Sequence, residues 1–296
     1  MSDDFEEENA EEREEEQLQE EEEGTGEESV EERGSLSGRG GVYSLLFPKG
    51  KDIRYAFSAL STILKSATLR VGPEGVKMKA IDDAKVSLIL LEIPASSLDE
   101  VNIGEDAEVG ISFDVLKKIM RRIGSRDKVE LIIDKQQAKL SVVIYTKKGR
   151  EGGIYRKFNV PLLDVSEEEV PEPNLTYPIR ITADLASMQD VIAATADIGE
   201  AVTFTAAPDQ FVIRAEGDGG KSIESIYQST DELFHEYSAG EEGTATYSAD
   251  HILGFMSQMR QICDAVTIEF ATNKPLKLTF NFSTGSVVLY LAPRTL

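Results

Sequence analysis

The chain has 296 residues, with 54 acidic side chains against 31 basic ones and a formal net charge of −23 at pH 7. Its one cysteine, Cys263, excludes an internal disulfide, and no apolar run reaches the roughly 20 residues of a membrane-spanning helix. Length and an apolar content of 41% suit two domains of ordinary size in a soluble, intracellular protein.

Much of the charge is local. The first 33 residues hold 18 acidic and 2 basic residues, with Phe5, Leu18 and Val30 as the only large apolar side chains. Residues 1–40 are therefore expected to be a disordered acidic tail with no core of their own. The tail either solubilises the protein or competes with other polyanions for its cationic surfaces.

Beyond the tail, Val42 to Phe47 reads as a strand. Asp52 is placed to cap a helix running to about Lys65, with Ile53, Phe57, Leu60 and Leu64 on one face. Thr68 to Val71 is again a strand. Pro73-Glu74-Gly75 is a turn, after which Val76, Met78 and Ala80 alternate with Lys77 and Lys79 as in a half-buried strand. Ile81 to Lys85 then forms a polar loop, with Asp82 and Asp83 as solvated turn residues, leading into the apolar strand Val86 to Ile93. A strand near Ala107–Ile111, a helix from Phe113 to Ile123 closed by Gly124, and strands Lys128–Asp134, Ala138–Tyr145 and Gly153–Val160 follow. Asp164 to Pro173 has the acid and proline content of an exposed linker.

The order then repeats. It runs through strand Ile179–Thr182, helix Asp184–Ala196, strands Ala201–Thr205, Gln210–Ala215 and Ser222–Gln228, helix Asp250–Gln261, and strands Ala265–Phe270, Lys277–Phe282 and Ser286–Leu291. Pro73 and Pro208 open the same turn, Phe113-Asp114-Val115-Leu116 reappears as Ala249-Asp250-His251-Ile252, and Leu140 matches Leu278 at a nearly constant offset. Two domains of one design sit in tandem.

The second helix carries the most informative charge pattern. Phe113, Leu116, Ile119, Met120 and Ile123 share one side, while Lys117, Lys118, Arg121 and Arg122 centre on the other. Such a ridge is either a solvated polar face or, with Lys49, Lys51 and Arg54 at the start of the first helix, a surface for phosphates that reads no sequence. Chemistry is otherwise scarce. His235 and His251 lie in no metal-ligand spacing, and Gly217-Asp218-Gly219-Gly220 lacks the Lys-Ser/Thr of a phosphate loop. The pattern is that of a scaffold, not a catalyst.

Five stretches in order, Ile81-Asp82-Asp83-Ala84-Lys85-Val86-Ser87-Leu88, Ile123-Gly124, Leu162-Leu163-Asp164-Val165, Ile198-Gly199-Glu200-Ala201-Val202 and Tyr290-Leu291-Ala292-Pro293-Arg294, together resemble the proliferating cell nuclear antigen, the sliding clamp of archaea and eukaryotes. The resemblance spans about Val42 to Thr295. It implies an α+β DNA clamp fold: a clamp domain over 41–163, a connecting linker over 164–177 and a second clamp domain over 178–296. It further implies a non-enzymatic processivity factor without cofactor, a homotrimeric ring that encircles duplex DNA. Its partners would be DNA polymerase, the clamp loader and other replication and repair proteins, bound through short peptides. Its place would be the nucleoid of an archaeal cytoplasm or a eukaryotic nucleus. A heterotrimeric or checkpoint-type clamp subunit is the alternative, and a DNA-processing enzyme of clamp-like build is opposed by the missing catalytic constellation.

With the cationic ridge facing the hole of the ring, DNA contact falls to the helix cations Lys49, Lys51, Arg54, Lys117, Lys118, Arg121, Arg122 and Arg260, and the peptide site is carried over by position. The partner peptide falls to Ile81, Lys85, Val86, Leu88, Val170, Pro171, Pro275, Tyr290, Leu291, Ala292 and Pro293, residues that alternatively only fill the domain junction. Both strands Gly153–Val160 and Ser222–Gln228 end their domains. Pairing them between subunits would use Ile154, Arg156, Lys157 and Phe158 against Ile223, Glu224, Ile226 and Tyr227, with Glu224 facing the two bases.

Overall fold

A computed structural model of the chain describes residues 41–146, 155–165 and 173–294. The expected tail, Ile154, and Val170 and Pro171 of the linker lie outside these residues. Eighteen strands and four α-helices are present among the described residues, and they fall into two halves of identical order. The first runs β1 (Val42–Phe47), α1 (Gly50–Leu60), β2 (Ser66–Gly72), β3 (Gly75–Ile81), β4 (Ser87–Pro94), β5 (Glu100–Asn102), β6 (Ala107–Ser112), α2 (Phe113–Met120), β7 (Lys128–Asp134), β8 (Lys139–Tyr145) and β9 (Tyr155–Pro161). The second runs β10 (Ile179–Asp184), α3 (Leu185–Ala196), β11 (Ala201–Ala206), β12 (Gln210–Glu216), β13 (Ser222–Gln228), β14 (Phe234–Ala239), β15 (Gly243–Ser248), α4 (Ala249–Met259), β16 (Ala265–Phe270), β17 (Leu276–Phe282) and β18 (Gly285–Leu291).

The sheets follow the same repeat. The first half contributes the five strands β5-β1-β7-β8-β9 and the four strands β4-β3-β2-β6; the second contributes β14-β10-β16-β17-β18 and β13-β12-β11-β15. At one place the halves fuse: β18 pairs antiparallel with β4, from Ser286 opposite Glu92 to Leu291 opposite Ser87, so nine strands form one continuous sheet. Gly285 permits this joint, because a Cβ there would stand 2.3 Å from the Glu92 carbonyl oxygen. Apolar faces of sheets and helices meet in a shared core, with Phe57 and Phe113 edge to face at 5.7 Å in the first half and Phe204 edge-on to Phe211 and Phe270 and tilted against Tyr247 in the second.

Several elements differ from the sequence expectation. Asp52 does not cap α1: Lys49 takes the N-cap position without a side-chain bond, and Gly50 N–H donates to the Asp127 carbonyl at 2.7 Å instead. Asp52 is buried in the first turn, where its Oδ2 accepts from the Ser283 and Thr284 hydroxyls in the β17–β18 turn of the other half. Helix α1 ends at Leu60, where the Ser61 and Thr62 hydroxyls bond back to the Ser58 and Ala59 carbonyls, and Leu64 reaches the core from the turn beyond. Helix α2 ends at Met120, and Ile123 is buried by a following turn. Strands β5, β14 and β15 were not expected. Glu100–Asn102 and Phe234–Ala239 are polar or irregular in pattern, and Gly243–Ser248 buries Gly243, Ala245, Thr246 and Tyr247, in which Tyr247 is the one large apolar signal.

Asp184 caps α3, its Oδ1 accepting from Ser187 N at 2.7 Å. Hydrogen bonds from Ser187, its side chain first and its backbone next, hold this carboxyl below the usual carboxylate range. Asp184→Ala is expected to lower stability by about 1 kcal/mol in neutral denaturant titrations. Because the folded pKa is depressed, that contribution is complete above about pH 4 and fades as pH falls through the folded value, so the gap between variant and parent should close in acid.

Candidate functional site

The four helices form a row in the order α2, α1, α4, α3, each packed on the next. In α2 the side bearing Phe113, Leu116, Ile119 and Met120 enters the core, and Lys117, Lys118, Arg121 and Arg122 are exposed opposite it. Among the described residues none of these four has an acidic partner, and Asp114 is the single acid of the helix. Lys49 is exposed and Lys51 half-buried at the start of α1. Two expected contact residues are otherwise engaged. Arg54 donates through Nη1 to the Ile123 carbonyl at 2.5 Å, with its guanidinium 4.9 Å from the Tyr55 ring centroid, and so braces the end of α2. Arg260 donates to Gln189 Oε1 at 2.7 Å and lies 3.4 Å from Asp190. With Arg260 neutralised and no Lys or Arg in α3 or α4, the free cations of the row belong to the first half.

The two strand edges expected to pair between subunits are β9 and β13, each the last strand of its sheet. They have a structural precedent inside the chain: β9 holds the place in the first half that β18 holds in the second, and β13 the place of β4. Arg156 and Lys157 are exposed, Phe158 is half-buried, and Ile226 is 55% exposed on β13. Glu224 is not waiting for a partner, because Arg214 Nε already donates to its Oε2 at 2.7 Å. Ile223 and Tyr227 are half-buried, the latter with its ring 6.2 Å from that of Phe234.

On the outer face of the nine-stranded sheet, Ile81, Leu88, Tyr290, Lys277, Glu269 and Arg180 lie opposite one another in a single row that crosses the β18–β4 joint. The next row on the same face holds Lys79, Leu90 and Val288. Ile81 and Val86 are 39% and 37% exposed, whereas Leu88 and Tyr290 are each 7% exposed and form a floor. Pro275, Ala292 and Pro293 are half-buried at its end, where Ala292 N–H donates to the Val86 carbonyl at 2.8 Å. Leu291 does not belong to the groove: it alternates with Tyr290 and is buried in the core.

Asp82 is no solvated turn residue. It is buried and its Oδ1 accepts from Val86 N at 2.9 Å and Ser87 N at 2.7 Å, fixing the loop that presents Lys85 and Val86. Tyr177, which sequence reasoning missed, has a buried hydroxyl without a hydrogen-bond partner among the described residues; burial first, then Tyr290 and Glu269 nearby, raise its pKa. An aromatic residue just before a strand is too common a pattern to have marked it.

Among the described residues no cluster of three or more His, Cys, Asp and Glu is placed to hold a metal, and burial pushes the Cys263 thiol up to about 12. His251 Nδ1 lies 2.8 Å from Ser248 Oγ in a local helix-start contact.

A duplicated α+β unit with its helices in one row, its sheets joined edge to edge and the equivalent strands β9 and β13 at the ends of their sheets among the described residues defines the DNA clamp fold. The family model for the N-terminal domain of proliferating cell nuclear antigen matches residues 46–169. The DNA polymerase sliding clamp 2 of Pyrobaculum aerophilum is 36% identical over 249 residues, 84% of this chain and 97% of that protein. The PCNA2–PCNA3 complex from Sulfolobus tokodaii contains a chain similar to this one with a TM-score of 0.75 and 25% identity, covering 85% of this chain and 99% of that one. A. fulgidus PCNA, solved with the C-terminal region of FEN-1 bound, matches with a TM-score of 0.74 and 26% identity over 86% and 99% of the two chains. The chain belongs to the family of DNA polymerase sliding clamps.

Proposed function

We propose that this chain closes head to tail into a ring around duplex DNA and tethers DNA polymerase and other replication and repair proteins there as a processivity factor. The observation that carries the reading is the internal joint β18–β4. A chain that repeats the same unit twice and pairs the two copies through one kind of edge leaves the equivalent edges, β9 and β13, free at its ends. Repeating the joint between chains uses both edges and removes an aggregation liability. Three chains give the six-unit ring of the family, and the helix row faces the DNA, where unpaired cations meet phosphates without reading bases. The outer groove takes short peptides of the polymerase, the loader and other partners; A. fulgidus PCNA with the C-terminal region of FEN-1 bound is a relative that binds a partner segment. A hetero-oligomer is the second reading, favoured by the two-clamp complex of Sulfolobus tokodaii. On this reading the protein acts as an accessory factor through its recognition surfaces.

The internal joint also sets the register between chains. Val288 of β18 lies opposite Leu90 of β4. Matching Leu140–Val160 to Leu278–Leu289, and Ile81–Leu88 to Glu216–Ser222, carries that pair to Asn159 opposite Glu224 of the neighbouring subunit. Lys157 then sits two residues along the same face, beside the Arg214–Glu224 pair. A chain carrying Asn159→Cys and Glu224→Cys is expected to form covalent closed trimers on mild oxidation. The displaced pair Lys157→Cys with Glu224→Cys should cross-link far less. Equal cross-linking, or none in a protein that sizes as a trimer, would refute the register.

A further inference from the structure

We propose that the peptides docking in the outer groove carry carboxylates where they cross β3 and the β3–β4 loop, and that Lys79 and Lys85 receive them. The inference rests on the groove being a peptide site and adds the charge of its ligand.

On the outer face around the apolar island of Ile81, Val86, Leu88, Leu90, Val288 and Tyr290, five cations are already matched. Lys77 lies 3.3 Å from Glu92, Arg70 2.7 Å from Glu108, Lys277 2.8 Å from Glu269, Arg180 3.2 Å from the same Glu269, and Lys65 2.6 Å from Asp83. Lys79 and Lys85 at the β3–β4 end are not, and neither is Lys274 beside Pro275 at the other end: all three are exposed, and none has an acidic partner among the described residues. Lys79 stands directly opposite Leu90 and one step along the same face from the exposed Ile81. Lys85 precedes the exposed Val86 and is held with φ at 57°, a left-handed conformation that glycine or asparagine adopts with less strain. The loop is fixed there by Asp82, whose carbonyl accepts from Lys85 N at 2.9 Å and whose side chain accepts from the next two residues. Two unmatched ammonium groups thus flank the two most exposed apolar side chains of the island, in a chain whose net charge is −23. A peptide with apolar anchors for the island and acids beside them satisfies both features at once. One with basic flanks brings like charges together.

The test uses the full-length protein and two labelled synthetic peptides with the same helical, aromatic-anchored core, one flanked at both ends by Glu-Glu and the other by Lys-Lys. In anisotropy titrations at low salt the acidic peptide should bind about three- to tenfold more tightly, and the preference should shrink at high salt because exposed charges are screened. Lys79→Glu with Lys85→Glu should reverse the order. Equal binding of both peptides, or tighter binding of the basic one, overturns the charge inference while leaving the groove as a peptide site. Binding of neither, with Leu88→Asp making no difference, overturns the groove reading itself.

Discussion

Replacing Lys117, Lys118, Arg121 and Arg122 together with alanine should leave the clamp folded and assembled but unable to stay on DNA at moderate salt. All four are exposed and outside any ion pair among the described residues, so stability should change by no more than about 0.5 kcal/mol per site. Their contribution appears when phosphates replace their counterions. If the cations of one chain neutralise four phosphates at a time, the slope of log K against log salt flattens by about 3.6 on their removal. Retention on DNA, followed over a salt series, measures that slope. Arg260→Ala supplies the contrast: Gln189 and Asp190 already hold its guanidinium, so its loss should scarcely alter the slope. A quadruple variant with the parent's slope would mean that the row does not face DNA.

The second large effect concerns the joint between the halves. Asp52→Ala should destabilise the chain by about 3 kcal/mol, because it removes a buried carboxylate and strands two hydroxyls, one of them, Thr284, buried as well. The loss should appear as faster amide exchange at the start of α1 and in the β17–β18 turn, the two segments that Asp52 ties together. Asp52→Asn keeps an acceptor and should recover part of the stability. A variant as stable as the parent would show that the β18–β4 ladder holds the halves without help.

The alternation of Val76, Met78 and Ala80, the apolar run after Val86 and the two-sided α2 are local patterns, and each became the element it promised. The duplication was legible because it repeats such patterns at a fixed interval. What stayed hidden depends on distant partners. Asp52 looks like a helix cap until a turn more than two hundred residues away closes over it, and Arg260 looks free until α3 packs beside α4. Leu291 was misplaced for a different reason: once Tyr290 faces outward, strand parity sends its neighbour into the core. Of the groove, Ile81, Lys85, Val86, Leu88 and Tyr290 came together only through the family resemblance, because no local pattern joins β3, β4 and β18, and Tyr177 gave no signal, since its position follows from where β10 begins.

A ring that encircles DNA is held on it by topology, so cutting the DNA distinguishes it from a protein bound by contacts alone. Labelled protein loaded onto nicked circular DNA, with its loader and ATP, should remain bound through gel filtration in moderate salt and should be released when a single restriction cut makes the circle linear. Free ends let a ring slide off, whereas a protein held by local contacts has no reason to leave. Equal retention on circular and linear DNA, or equal loss from both, would contradict the account.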